Sequence, residues 1–134
     1  MDDEAQEDLA IRLFKQAYRH QMNKELDEAV ELYEKSIEAY PTAEAHTFLG
    51  WTYSWMGRID DAIAECQKAI EVDPKNADAH YQLGIAYFGS PDTVSSAIPA
   101  LEKYLELQPN GPNAEAAKQL IATAKASSPG SKKD

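Results

Sequence analysis

Residues 43–53, AEAHTFLGWTY, return 34 positions later as residues 77–87, ADAHYQLGIAY. The residues that recur are Ala43, Ala45, His46, Leu49, Gly50 and Tyr53. From His46 to Tyr53 the shared positions follow the spacing i, i+3, i+4, i+7, which places them on one face of an α-helix. A fixed period of this length indicates a chain built from repeated supersecondary units.

A second segment recurs on both sides of itself. Residues 62–74, AIAECQKAIEVDP, match residues 29–41, AVELYEKSIEAYP, and residues 97–109, AIPALEKYLELQP. The step to the last copy is one residue longer, and we place the insertion within residues 89–93. The chain therefore divides into three repeat units, at residues 10–42, 43–76 and 77–110.

The two segments of each unit predict two helices that pack on each other. Gly50 and Gly84 have no side chain at the point where paired helices must approach closely. In the second helix of unit two, an apolar stripe runs from Ile59 to Ile70, whereas Glu65 falls on the polar face. This division predicts that one side of each second helix is buried and the other solvated.

Residues with special backbone roles separate the predicted helices. Gly57 is expected to end the first helix of unit two, and Thr42 and Asn76 are expected to cap the helices that follow them. Pro99 is tolerable only in a first helical turn, so its helix should start near Ser95 or Ser96.

This pattern resembles the tetratricopeptide repeat, whose signature combines W-x2-L-G-x2-Y, A-x3-F and a closing Pro at a period of about 34 residues. The matching residues of unit two are Leu49, Gly50, Tyr53, Ala62, Ala69 and Pro74, and those of unit three are Leu83, Gly84, Tyr87, Ala97 and Pro109. Unit one matches more loosely, at Leu13, Ala17, Ala29, Tyr33 and Pro41. The resemblance implies an all-α, right-handed superhelical array of three helix-turn-helix units plus a C-terminal capping helix.

The segments outside the three units are short. Residues 111–126 are predicted to form the capping helix, whose narrow apolar face covers the end of the array. Residues 1–9 are expected to be an acidic N-terminal lead, and residues 127–134 a disordered tail. We expect seven helices in antiparallel pairs and no strand.

The composition limits the partners. The chain of 134 residues carries a formal net charge of −10. Such a surface repels phosphate backbones and anionic lipid, so we expect neither nucleic acid nor membrane as a partner. No apolar run approaches the ~20 residues that span a bilayer, and the acidic N-terminus does not have the pattern of a secretory signal. We therefore expect a soluble, cytoplasmic protein.

The sequence contains no recognisable catalytic or phosphate-binding motif. We therefore expect neither an enzyme nor a cofactor. His46 and His80 occupy equivalent positions one repeat apart, on the order of 10 Å, which is too far to share one metal ion. Both are interpreted as packing residues, and no metal site is expected. Cys66, the single cysteine, lies on a core stripe and is predicted to be an inert thiol.

The first helix of each unit carries a second apolar face, opposite the Leu-Gly-Tyr face. An apolar helix surface either is buried within the fold or awaits a partner. In tetratricopeptide-repeat proteins the first helices line a concave groove that binds peptides, so the resemblance makes this face a peptide-binding site. The candidate peptide-binding residues are Phe14, Tyr18, Met22, Thr47, Trp51, Trp55, Tyr81, Ile85 and Phe88.

The groove is predicted to have an aromatic floor and a polar rim. The rings expected to be within reach of a ligand are Trp51, Trp55, Tyr18 and Tyr81. Phe48 and Ile85 have the alternative of packing between neighbouring first helices. The polar groups expected at the rim are Lys15, Gln21, Ser54 and Gln82.

One subclass of the family grips the C-terminal carboxylate of heat-shock chaperones with Lys, Asn and Arg side chains of the first helices. The positions that match those side chains hold Phe14, Tyr18, Phe48, Asp78 and Gln82. None offers a cation to a carboxylate, and Asp78 would repel one. The resemblance therefore does not extend to that ligand.

These observations favour a non-catalytic protein–protein interaction module that binds a short apolar peptide or helix, with basic flanks suited to the acidic rim. The alternative is a self-assembling scaffold. Its homo-oligomer would form through the first repeat, because the short acidic lead leaves that edge of the array without a capping helix.

Overall fold

The computed structural model describes residues 2–127, which form seven α-helices, one short 3-10 helix and no strand. The α-helices are α1 Asp3–Met22, α2 Leu26–Ala39, α3 Ala43–Trp55, α4 Ile59–Val72, α5 Ala77–Tyr87, α6 Ala97–Leu107 and α7 Ala114–Ser127. Helices α1 and α2, α3 and α4, and α5 and α6 form three pairs, and α7 packs on α6. The predicted all-α superhelical array of helix pairs closed by a C-terminal helix is confirmed.

The predicted helix boundaries have a clear physical basis. Thr42 and Asn76 cap α3 and α5 as expected, because their side-chain oxygens accept hydrogen bonds from the amides of Ala45 and Ala79 at 3.1 Å and 3.0 Å. Gly57 follows α3 with a φ of 77°, a conformation that glycine adopts without steric cost. Each short turn reverses the chain, so consecutive helices are antiparallel.

The inserted residue of unit three is absorbed between α5 and α6. The chain turns after α5 and forms the 3-10 helix Val94–Ser96 immediately before α6. The Thr93 hydroxyl donates a hydrogen bond to the carbonyl of Tyr87 at 2.6 Å and fixes this turn. Pro99 is the third residue of α6, in the first turn as predicted, where its missing amide costs no intrahelical bond.

The acidic residues at the N-terminus are helical rather than a separate lead. Helix α1 begins at Asp3, and the Asp2 carboxylate caps it by accepting a hydrogen bond from the Ala5 amide at 2.8 Å. Asp3 and Glu4 lie in its first turn, where negative charge is favoured by the helix dipole. At the other end, Ser127 belongs to α7, and residues 128–134 of the predicted tail lie outside the described residues.

Small residues allow the paired helices to come close together. A Cβ atom on Gly50 would lie 2.9 Å from the Cys66 sulfur and 3.1 Å from the Ala62 carbonyl oxygen. At Gly84 it would lie 2.6 Å from the side chain of Leu101. Ordinary side chains therefore do not fit at either crossing, and the pairs α3–α4 and α5–α6 depend on glycine there.

The interpretation of Glu65 as a solvated residue was wrong. Its carboxylate lies 2.7 Å from Nδ1 of His46 and its side chain is only 13% exposed, so it joins α4 to α3. Burial raises the pKa of Glu65, but the hydrogen bond with His46 and the charge of Lys68 outweigh that effect and lower it. His46 thus has a carboxylate partner rather than a purely apolar environment.

We expect Gly50→Leu to lower the free energy of unfolding by about 1–3 kcal/mol or more, because the side chain must displace α4. Denaturant unfolding followed by circular dichroism measures this change. Ala64→Leu adds bulk to an exposed position of α4 and should stay within about 0.5 kcal/mol of the parent. Equal midpoints for the two variants would show that the close approach at Gly50 is not required.

We expect Glu65→Gln to reduce stability by about 1 kcal/mol at neutral pH, because it weakens a charge-assisted hydrogen bond. The pKa of Glu65 is below its ordinary value of 4.5, so its contribution is present above that value and is lost as the pH falls through the lower folded value. The stability difference between parent and variant should therefore shrink below about pH 4. Glu71→Gln, at an exposed site of α4, is the control. A stability difference between the parent and Glu65→Gln that does not change with pH would contradict a stabilising role of the ionised Glu65 carboxylate.

Candidate functional site

Aromatic side chains of α1 and α3 form a continuous series of edge-to-face contacts, here called the ring cluster. The centre of the Phe48 ring lies 5.1 Å from that of Phe14, 5.8 Å from that of Tyr18 and 5.5 Å from that of Trp51. Trp51 in turn lies 5.1 Å from Trp55. Because each ring contacts the next in a favourable geometry, the cluster is one continuous aromatic surface rather than a set of separate side chains.

The ring cluster is partly buried and partly open. Tyr18 is 41% exposed, and Trp51 and Trp55 are half-buried. Phe48 lies at the centre and also packs against the core residues, as its alternative assignment allowed. At one end, the Lys24 ammonium lies 4.0 Å from the centre of a Trp55 ring, a cation–π contact that the repeat pattern did not indicate.

A cleft of about 430 Å³ adjoins the ring cluster, between α3 and α5; we call it the central cleft. It is lined by Thr47, Phe48, Trp51, Asp78, Tyr81, Gln82, Ile85 and Asn113. The structure therefore brings together four of the predicted binding residues from two consecutive units. Asn113, from the turn before α7, was missed because it lies outside the repeat and carries no periodic signal.

Two buried polar atoms of the central cleft have no hydrogen-bond partner in the described part of the chain: Oγ1 of Thr47 and Oε1 of Gln82. Thr47 is only 2% exposed. Five residues later in the same helix, Thr52 donates to the Phe48 carbonyl at 2.8 Å, the usual solution for a buried helical hydroxyl. Thr47 does not use this solution, so its hydroxyl oxygen is both buried and unpaired among the described residues.

The other predicted binding residues lie elsewhere along the array. Phe14 borders a second cleft of about 290 Å³ near Ile11, between α1 and the start of α3. Phe88 lines a separate depression with Val94 and Thr123, at the C-terminal end of the array. Met22 is 38% exposed near the end of α1. The candidate residues thus contribute to several surfaces, and the ring cluster and the central cleft each include four of them, with Trp51 in both.

Gln21, predicted at the polar rim, is instead fully buried. Its Oε1 accepts a hydrogen bond of 2.6 Å from the hydroxyl of Tyr33, which ties α1 to α2. The helical periodicity placed Gln21 correctly in the first helix of unit one. It could not show that a Tyr side chain of the paired helix reaches Gln21.

The single cysteine of the sequence, Cys66, is buried in the core. Burial raises the pKa of the Cys66 thiol to about 12, so the reactive thiolate is scarce near neutral pH. Within residues 2–127, no group of three His, Cys, Asp or Glu side chains is placed to hold a metal ion. The same residues include no helix that is long and apolar enough to cross a membrane.

Stacked helix pairs with a cleft between successive first helices define an α-helical repeat protein. A TPR-repeat family model matches residues 52–90, and a tetratricopeptide-repeat model matches residues 3–43. The chain belongs to the tetratricopeptide-repeat family.

Curated relatives share the repeats over part of their length. The small glutamine-rich tetratricopeptide repeat-containing protein 2 of Mycosarcoma maydis is 31% identical over 103 residues, which are 76% of this chain and 28% of that protein. Sperm-associated antigen 1 of Mus musculus is 31% identical over 84 residues, 63% of this chain and 9% of that protein. The chain therefore spans less than a third of either relative.

Solved structures share the fold. The first TPR domain of Spaghetti (RPAP3), bound to the HSP90 peptide SRMEEVD, superposes with a TM-score of 0.83 at 24% identity, over 90% of this chain and 98% of that one. The Sgt2 TPR domain of Aspergillus fumigatus gives a TM-score of 0.80 at 28% identity, over 87% of this chain and 77% of that one. These likenesses support the helical array along most of the chain.

We expect Thr47→Val to raise the free energy of unfolding by about 1 kcal/mol, because it removes an unpaired buried hydroxyl and keeps the shape of the side chain. Thr52→Val is the matched control, since it removes a hydroxyl that is hydrogen-bonded within α3. Thermal melts of the two variants should shift in different directions. A lower melting temperature for Thr47→Val would mean that its hydroxyl has a partner in the free protein.

Proposed function

We propose that this chain is a non-catalytic interaction module, and that it binds a short apolar peptide or helix on the ring cluster and in the adjoining central cleft. The observation that carries the proposal is the continuity of aromatic side chains from Tyr18 to Trp55 on the first helices. Its expected partner is a protein with an apolar segment flanked by basic residues.

The ring cluster supports this proposal because large aromatic side chains dominate the energy of protein interfaces. The rings brace one another through contacts of 5.1–5.8 Å, so little conformational entropy is lost when a ligand covers them. Charge supports the basic flanks, since the formal net charge is −10 and Asp78 lines the cleft.

The similar structures indicate which part of the relatives' function can extend to this chain. The Spaghetti domain binds an acidic HSP90 peptide, and a yeast Sti1 domain is described in complex with an Hsp70 ligand. Peptide binding is therefore compatible with the fold. Asp78 and Gln82 occupy positions where the carboxylate-binding subclass has cations, so we expect an acidic chaperone tail to bind poorly.

Self-assembly through the first repeat is the second candidate. One observation favours it: Ile11 is 48% exposed beside the second cleft, near the N-terminal end of the array. Light scattering of the chain and of Ile11→Lys tests it, because a scaffold should lose mass when that surface becomes charged. A monomeric parent chain would exclude this candidate. Neither candidate function includes a catalytic step. The cytoplasmic location stays a prediction.

The two tryptophans of the chain, Trp51 and Trp55, both belong to the ring cluster, so tryptophan fluorescence reports directly on its occupancy. We expect peptides that are selected from a random display library for binding to the chain to change this fluorescence. Their binding free energy to the Trp51→Ala variant should be weaker by about 2 kcal/mol than to the parent chain. Binding is measured well below the melting temperature, because Trp51 also packs on Phe48 and its loss should lower stability.

Val72→Ala is the control for loss of apolar area. Val72 is 49% exposed at the end of α4 and does not belong to the ring cluster, so its truncation should leave the affinity unchanged. Selected peptides that bind Trp51→Ala and the parent equally would refute binding on the ring cluster.

A further inference from the structure

We propose that the central cleft is a pocket for a cationic side chain, Lys or Arg, of the bound peptide. This inference rests on the proposed function, since it assigns one subsite within the same binding surface. It concerns the chemistry of the polar atoms beside the rings and not the apolar contact itself.

The first argument comes from the two unpaired oxygens. Thr47 and Gln82 both line the cleft, and each has one buried oxygen, Oγ1 of Thr47 and Oε1 of Gln82, without a hydrogen-bond partner in residues 2–127. A hydroxyl and an amide oxygen both accept hydrogen bonds. An ammonium carries three N–H donors and a guanidinium five, so either group can satisfy several acceptors at once.

The second argument comes from charge. The exposed carboxylate of Asp78 lies one helical turn before Gln82 and lines the same cleft. No Lys or Arg is among the described residues that line it, so no cationic side chain of the cleft pairs with this carboxylate. A cation entering the cleft would therefore make charge-assisted hydrogen bonds, which are about twice as strong as neutral ones.

The third argument comes from the walls. Trp51 and Tyr81 present aromatic rings to the cleft, and ring faces attract cations. The molecule already uses this interaction twice, since Lys24 lies 4.0 Å from the centre of Trp55 and the Arg58 guanidinium lies 4.5 Å from that of Tyr53. A cationic side chain of the peptide between Trp51 and Asp78 would form a further cation–π contact, close to the one between Lys24 and Trp55.

Other occupants of the cleft are less favourable. A carboxylate would meet the charge of Asp78, and the lining residues that have N–H or O–H donors are all uncharged. An apolar side chain would leave Thr47 Oγ1 and Gln82 Oε1 unpaired, as they are in the free protein, and would gain no hydrogen bond from them. A neutral amide has two N–H donors for these oxygens, but it would not form an ion pair with the carboxylate of Asp78.

The test uses four immobilised libraries of short random peptides, identical except that the central residue is fixed as Arg, Lys, Gln or Glu. The intact chain is titrated against each pool. We expect at least about tenfold more binding to the Arg and Lys pools than to the Gln pool, and the least binding to the Glu pool. Retention should fall with added salt, because it includes an ion pair.

Charge reversal at Asp78 tests the assignment to this cleft. Asp78→Lys should abolish the preference for the basic pools and favour the Glu pool. Asp60→Lys makes the same charge change at the second position of α4, outside the cleft, and should keep the preference for basic residues. Thr47→Val should fold normally and should reduce the preference severalfold, since one acceptor is lost.

The outcomes separate this inference from the proposed function. Binding that is lost with Trp51→Ala but is equal across the four pools would overturn the cation pocket alone. A basic preference that Asp60→Lys removes as completely as Asp78→Lys would also overturn it, because the effect would then come from net charge. Absence of binding to every pool would overturn both proposals.

Discussion

The close approach of paired helices at Gly50 and Gly84 is the constraint on which the other features depend. At both crossings a single Cβ atom would lie within 3 Å of the facing helix. Since this side of α3 and α5 must face its partner helix, the side chains about 100° around the helix are directed elsewhere. Trp51 and Ile85, the residues after the two glycines, therefore lie at the cleft between successive first helices.

Much of the fold could be predicted because its determinants are local. Thr42, Asn76 and Gly57 act through neighbouring backbone groups, so their residue types and positions were sufficient to place the helix ends. Glu65 and Gln21 could not be assigned in this way. Helical periodicity gives the direction of a side chain, but not whether His46 or Tyr33 of another helix reaches it and buries it.

The candidate site was predictable to a smaller extent. A second apolar face on the first helices was visible from residue types, and four of its members do line the central cleft. Which members share one surface depends on the rotation between successive units, which the sequence period does not specify. Phe88 and Phe14 therefore border other clefts, and Asn113 enters the central cleft from a turn that has no counterpart in the repeats.

In the proposed complex, the ring cluster and the polar atoms of the central cleft would contribute differently to recognition. Aromatic area attracts many apolar segments and discriminates weakly between them, because a methylene more or less changes binding by only about 1–3 kcal/mol. Unpaired acceptors such as Thr47 Oγ1 and Gln82 Oε1 lower the stability of the free protein, so a ligand that donates hydrogen bonds to them would gain energy that other ligands do not. With these atoms beside the rings, the selectivity of the proposed site would depend on the hydrogen-bond donors of the ligand, and its affinity on the apolar surface of the ligand.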